Sequence, residues 1–434
     1  MSRLVHNQVV PADQAPNFRA DRDRVLHDAC ELLAYPSIGG SIAEVEVNDY
    51  LARRWEAEGY GVHRWDIDIA ETTQRSDFPG MEVERTQALG VLARVPGSGG
   101  GRTLLLNGHT DVVPSGDIAA WHRDPFAPRV SDLDGVSRLI GRGACDMKAG
   151  LVAAWEAVRL VREAGIQLRG DVLLAPVSGE EDGGLGTYCL LQEMHTMGIH
   201  ADACIVPEPT DLDLVPANGG ALTFRLKVHG AAVHASRRTE GVSAIEKFVP
   251  LLHALEDLER ERNANVDPLM RRWPVAYPLS LGTVTAGDWA STVPDLLVAE
   301  GRLGVALDES TDDARASLEA AVAHACSQDP WLRDHPASIE WWGGQFASGR
   351  TDPDADIVRL VGSRHQAKTG HSPETYGGPY GSDLRLLTGI GGIPTVQYGP
   401  GDSAVAHSPN EFVDVDDVLT CAEVLAGVIV DFCG

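Results

Sequence analysis

Short unbroken apolar runs alternate along this chain with stretches whose apolar residues recur every three or four positions. Ser41 followed by Glu44 has the form of a capping box and predicts a helix that runs to Glu58 and stops at Gly59. Residues 62–69 and 89–95 read as strands, the second closed by Pro96 and a run of glycines. Residues 103–106, 172–177, 203–206 and 394–398 are apolar runs of the kind buried on both faces of a parallel sheet. Leu151, Trp155, Val158 and Val161 lie at helical spacing and predict a helix over 147–164. The alternation predicts an α/β fold, with a mixed, mostly parallel sheet covered by helices.

The pattern changes near residue 219. Leu222, Phe224, Leu226 and Val228 alternate with mostly polar neighbours, a period of two that predicts an antiparallel sheet with one buried and one solvated face. A helix over 243–262 follows, with Ile245, Phe248, Leu252, Leu255 and Leu258 on one side and a kink expected at Pro250. Strands at 279–285 and 296–306, a helix at 312–326 behind Ser310 and a strand at 337–342 complete the order βαββαβ, that of a ferredoxin-like α+β unit. The predicted organisation is a catalytic domain in two parts, 1–218 and 346–434, with a smaller domain, 219–345, inserted between them. An antiparallel sheet has edges that need a partner or a cover, so pairing of the small domains in a homodimer is expected.

Composition narrows the class. Apolar residues make up 43% and charged residues 23% of 434, which is globular rather than disordered. The net charge of −27 argues against nucleic acid or an anionic membrane as partner. The first 24 residues contain no apolar leader segment, and no run is long enough to span a membrane. Seven scattered cysteines without a Cys-x-x-Cys pair fit a reduced, cytoplasmic enzyme.

Candidate chemistry lies where the buried strands end. Residues 103–106 run into His109 and Asp111, residues 172–177 into Glu180-Glu181-Asp182, and residues 203–206 into Pro207-Glu208. The last apolar run leads to His407, and Gly141-Arg142-Gly143-Ala144-Cys145-Asp146 opens the helix expected at Met147. Ligands of open α/β sheets bind at the carboxyl ends of strands, so these distant segments are candidates for one site. His109, Asp146, Glu181, Glu208 and His407 form a nitrogen and oxygen donor set suited to zinc, cobalt or manganese. The charge of three carboxylates favours two divalent ions over one. Asp111, two residues after His109, suits the carboxylate that fixes a ligand histidine's tautomer. Neighbours in an extended chain diverge, so one of Glu180 and Glu181 can ligate while the other acts as general base.

These strings, together with Glu180-Glu181-Asp182-Gly183-Gly184 and Ala406-His407-Ser408-Pro409-Asn410-Glu411, resemble a dinuclear metallohydrolase family. Acetylornithine deacetylase, succinyl-diaminopimelate desuccinylase, aminoacylase and carboxypeptidase G belong to it. The resemblance spans about residues 30–430 in order. It implies two ions per chain, zinc being the leading candidate, with Asp146 bridging them ahead of a cis peptide to Met147. His109 and Glu208 would complete one ion's ligands, and Glu181 and His407 the other's. Asp111 would orient His109, and Glu180 would be the base. His234, in Gly230-Ala231-Ala232-Val233-His234-Ala235-Ser236, resembles the histidine that reaches into the partner subunit's site to stabilise an oxyanion.

Arg302 resembles the family arginine that binds a substrate carboxylate, a task suited to a guanidinium. Gly381 and Ser382 precede an expected helix, and their backbone donors are candidates for holding a substrate anion. Ser291-Thr292-Val293-Pro294 stands where desuccinylases carry an asparagine, which speaks against desuccinylase specificity. The expected activity is hydrolysis of the amide of an N-acyl amino acid or related small N-acyl compound. The alternatives are a dipeptidase or carboxypeptidase with the same metals and, more remotely, a metal-dependent binding protein without catalysis.

Overall fold

A computed structural model describes residues 16–133 and 135–434, the side chain of residue 133 excepted. Residues 1–15, most of the stretch in which no leader segment was expected, lie outside the described residues. The central sheet has nine strands. Its middle runs Val172–Val177, Leu104–His109, Ala203–Val206, Thr395–Gln397, all parallel to one another. Antiparallel strands flank them: Gly61–Asp66 and Leu89–Val95 on one side, Leu214–Asn218 and Gly349–Arg350 on the other. Thr375–Gly378 pairs in parallel with Leu214–Asn218.

The unbroken apolar runs are explained by burial on two faces. Leu104, Leu106 and Leu174 face a core built with the helices Arg22–Leu33, Ile42–Ala57, Ala149–Glu163, Asp356–Thr369 and Val415–Cys433. Leu105, Leu173 and Ala175 face a second core under the helix Leu185–Met197. Gly150, in the first turn of its helix, lets that helix touch the strand-end turn before Glu208, because a Cβ there would lie 2.0 Å from the Pro207 carbonyl oxygen.

A separate four-stranded sheet has the order Leu279–Ala286, Leu296–Val305, Gly220–His229, Ser338–Phe346, antiparallel throughout. The helices Ala244–Arg262 and Thr311–Gln328 pack on its apolar face, giving the βαββαβ order. A third sheet was not apparent from the pattern. It joins Arg129–Leu133, Val136–Ile140 and Phe412–Asp414.

Several local expectations are corrected. The first strand ends at Asp66, and Ile69 opens a short helix, Ile69–Thr72, capped by Asp68. The helix expected from Met147 begins at Ala149, after an irregular turn over Ala144–Lys148. The Ala244–Arg262 helix runs through Pro250, and Ile245 is 48% exposed while Leu251 is buried in its place. The Ser41 hydroxyl caps nothing, because Glu44 turns to the Gly40 N–H at 2.7 Å and to Arg85. Among the described residues, no helix is long and apolar enough to cross a membrane.

Candidate metal centre

Parallel register brings the acidic loops together. His109 is level with Val177, and Leu106 with Ile205, so Glu180, Glu181 and Glu208 all emerge just past the same sheet edge. The three-strand sheet supplies the rest. Phe412 pairs with Ile140, which lays the turn carrying Asp146 against the segment carrying His407. The Asp146–Met147 peptide is cis.

Asp146 is the common member of two groups. Its Oδ1 lies 3.0 Å from His109 Nε2, and Glu208 Oε2 lies 3.9 Å from the same nitrogen. Its Oδ2 lies 3.4 Å from His407 Nε2, which is 3.1 Å from Glu181 Oε2. In each triad the donor atoms lie within 4.8 Å of one another. His407 has a φ of 60°, the left-handed region where a non-glycine residue is strained, and such strain concentrates at functional sites.

Asp111 divides its task between two groups. Its backbone carbonyl accepts from His109 Nδ1 at 2.9 Å, which orients the ring with Nε2 toward the triad. Its carboxylate oxygens accept from the N–H groups of Glu180 and Glu181 at 3.3 and 3.2 Å. Gly179, with a φ of 74°, makes the turn into this pair, and a side chain there would press on the Arg85 guanidinium.

The electrostatics fit a cation. Burial and the negative charges of Asp383, Glu208 and Glu181 push the Glu180 carboxyl well above its ordinary range. Burial, Asp146 and Glu181 do the same to Glu208. Hydrogen bonds to Asp146 and Glu181 hold His407 up at about 10. Burial opposes protonation of His109, but Asp146, Glu208 and Asp111 outweigh it and raise that imidazole too. The cluster thus needs positive charge among its carboxylates, supplied by protons or by divalent ions. A donor set of carboxylates and imidazoles, without thiolate, fits ions such as zinc.

Other predicted residues fall in different places. Arg302, Gly381 and Ser382 line the same cleft as the triads, a cavity of about 690 Å³ between the central and four-stranded sheets. Arg302 Nη2 donates to Glu82 at 3.1 Å. The Ser382 hydroxyl bonds inward to Asn218 and Gln397, and the helix after Asp383 spans only Leu384–Gly389. His234 is not brought to the triads. Its exposed imidazole contacts the Ser236 hydroxyl at 2.8 Å, beside a bridge to Thr292.

Buried ion pairs beside the site escaped the sequence reading. Arg142 donates to Glu411 Oε2 at 2.6 Å, and Glu411 Oε1 accepts from the N–H groups of Cys145 and Asp146. Arg142 stands between two glycines and Glu411 four residues after His407, so a charge inside each motif was the available signal. Arg85 forks between Glu44 and Asp182, with 2.7 Å to Asp182 Oδ1. Nothing local marked Arg85, and Glu44 was read as a cap.

Two triads sharing one carboxylate, gathered beside the carboxyl ends of the parallel strands, form a candidate site for divalent ions of the kind a metal-dependent hydrolase needs. The model of peptidase family M20/M25/M40 matches residues 105–431, and the chain belongs to that family. It is 27% identical over 441 residues to N-formyl-4-amino-5-aminomethyl-2-methylpyrimidine deformylase of Bacillus subtilis (strain 168), covering 95% of each chain. It is 30% identical over 400 residues to acetylornithine deacetylase of Myxococcus xanthus, covering 90% of this chain and 93% of that one. Among solved structures, a tripeptidase from Staphylococcus aureus matches with a TM-score of 0.74 at 19% identity, covering 96% of this chain and 99% of that one. A metallo-carboxypeptidase from Sulfolobus solfataricus matches with a TM-score of 0.73 at 18% identity. These two bear on the fold alone.

Arg85 holds the Glu180–Asp182 turn from inside the protein. Arg85→Met would strand Glu44 and Asp182 as buried, unpaired acids. Urea denaturation should show a loss of about 3–5 kcal/mol, the scale of a buried pair broken on one side.

Proposed function

We propose that this protein hydrolyses the amide bond of a small N-acyl compound, with Glu180 as general base. The observation that carries the reading is the position of Glu180. It is buried, lines the cleft and adjoins Glu181, which turns instead to His407. A purely structural metal site has no use for a carboxyl held beside its ligands in this way. The relatives named as deformylase and deacetylase support a small N-acyl substrate.

His109, Asp146 and Glu208 would hold one divalent ion, and Asp146, Glu181 and His407 a second, with zinc the leading candidate and cobalt or manganese the alternatives. When bound, such ions polarise a carbonyl and lower the pKa of water toward neutrality. Asp111 fixes the His109 tautomer through its carbonyl and aims Glu180 through its carboxylate. Glu180 takes the proton of the attacking water and later delivers it to the leaving amine. Gly381 and Ser382 also line the cleft.

His234 would complete a partner's site in a homodimer, donating to the developing oxyanion. Its exposure, and the exposed Val284 and Trp289 on and beside the edge strand, support pairing through the four-stranded sheet. The domain division 1–218, 219–345 and 346–434 goes with this reading, the middle segment providing the dimer contact.

Elemental analysis of zinc-loaded protein should approach two ions per chain. His407→Ala should lose about one of them, and Asp146→Ala both. Glu180→Gln should keep its metal and lose about 10²-fold or more in kcat; near-normal turnover would remove Glu180 from the role. Mixing His234→Ala chains with Glu180→Gln chains should restore activity, because one site of the heterodimer then has both groups. No recovery after demonstrated subunit exchange would rule out action in trans.

A further inference from the structure

Arg302 is the only Arg or Lys that lines the cleft among the described residues, against six acids there. It is not free. Glu82 Oε1 accepts from Arg302 Nη2 at 3.1 Å, from the Thr223 hydroxyl at 2.7 Å and from the Gly344 N–H at 3.3 Å. Thr223 and Arg302 are cross-strand partners, so one oxygen is held by both members of a pair on a rigid sheet. The backbone of Glu82 is anchored separately. Its N–H and that of Val83 donate to Asp182 Oδ2 at 3.1 and 2.9 Å, next to the Glu180–Glu181 pair. Glu82 is therefore set by convergent bonds from both sides of the cleft, unlike a loose surface ion pair, whose worth is small.

All three of those bonds fall on Oε1. Oε2 has no donor among the described residues, and Glu82 lines the cleft. A substrate carboxylate approaching Arg302 meets the Glu82 charge on the same guanidinium, so attraction and repulsion nearly cancel. An amino or ammonium group instead finds an open carboxylate oxygen. The nearby wall includes Phe346, Tyr380 and Pro278, which suit a flat or apolar body.

We propose that Glu82 masks Arg302 and directs the cleft to N-acyl amines that carry no carboxylate, its Oε2 accepting from an amino group of the substrate. This rests on the amidohydrolase reading above and departs from the role that the family resemblance implies for Arg302. Glu82 is a specificity residue, and its effect falls on KM.

The test uses the zinc-loaded protein and two matched formamides, N-formylbenzylamine and N-formylphenylglycine, which differ only by the carboxylate. A third, N-formyl-4-(aminomethyl)benzylamine, adds an ammonium group. Wild-type kcat/KM should be at least tenfold higher on the carboxylate-free compound, and higher again on the cation. Glu82→Gln, which keeps the shape, should narrow the first ratio at least tenfold by lowering KM for the acid, with kcat little changed. Arg302→Met in that background should cancel the gain. Calorimetric titration of the zinc-loaded Glu180→Gln protein with the same compounds gives the binding preference without turnover. A wild-type preference for N-formylphenylglycine, or a ratio unmoved by Glu82→Gln, overturns the proposal, and the wild-type ratio decides even if a variant fails to fold. Absence of turnover on formyl, acetyl and dipeptide amides alike would instead strike down the amidohydrolase reading beneath it.

Discussion

Asp146 offers one carboxylate oxygen to each of two side-chain groups, and much of the structure serves to keep it there. Its N–H is held by Glu411, which is paired with the buried Arg142. Arg142 also reaches the carbonyl of His407, so one guanidinium ties two of the three segments that carry the second triad. The pairing of Phe412 with Ile140 supplies the framework for that contact. Buried acids at this spacing repel one another and resist ionisation, so an arrangement of this kind is stable only with positive charge in its midst. The raised imidazoles of His109 and His407 express that need directly.

A second thread runs through residues 79–85. Arg85 and Asp182 fasten this segment to the turn bearing Glu180 and Glu181, while Glu82 fastens it to Thr223 and Arg302 on the other sheet. The Gln345 N–H closes the same segment from the small-sheet side, donating to the Pro79 carbonyl. The Glu180–Glu181 turn and the cleft-lining Glu82 are thus tied together through one loop. On the proposals above, the base would stand on the central sheet and the selecting carboxylate on the connection between its strands Gly61–Asp66 and Leu89–Val95.

Family membership and local geometry answer different questions here. Relatives that deformylate a pyrimidine and deacetylate an amino acid match almost the whole chain at similar identity. Overall likeness therefore fixes the class of reaction and leaves the substrate to the side chains that line the cleft. On the proposal above, the Arg302–Glu82 contact would discriminate between carboxylate and amine, because it sets the net charge at one wall.

The order of apolar runs and helical repeats was enough to determine the layered α/β architecture and the βαββαβ unit. Burial on two faces leaves a continuous apolar run, as at Val172–Val177, and burial on one leaves alternation, as at Gly220–His229. Acids and histidines after strand ends were legible for the same reason, since the carboxyl edge of a parallel sheet is where such side chains gather. Local ends were less legible: Ile69 turned into a helix and Ile245 faced outward, because capping by Asp68 and packing at Leu251 outweigh periodicity. The partners of Arg85, the split duty of Asp111, the short sheet that brings His407 to Asp146 and the masking of Arg302 by Glu82 were decided only by tertiary structure. Each joins residues that are adjacent in neither sequence nor pattern, or assigns backbone and side chain of one residue to different partners. A charge's partner is set by distance in three dimensions, and that distance does not exist until the sheets have folded.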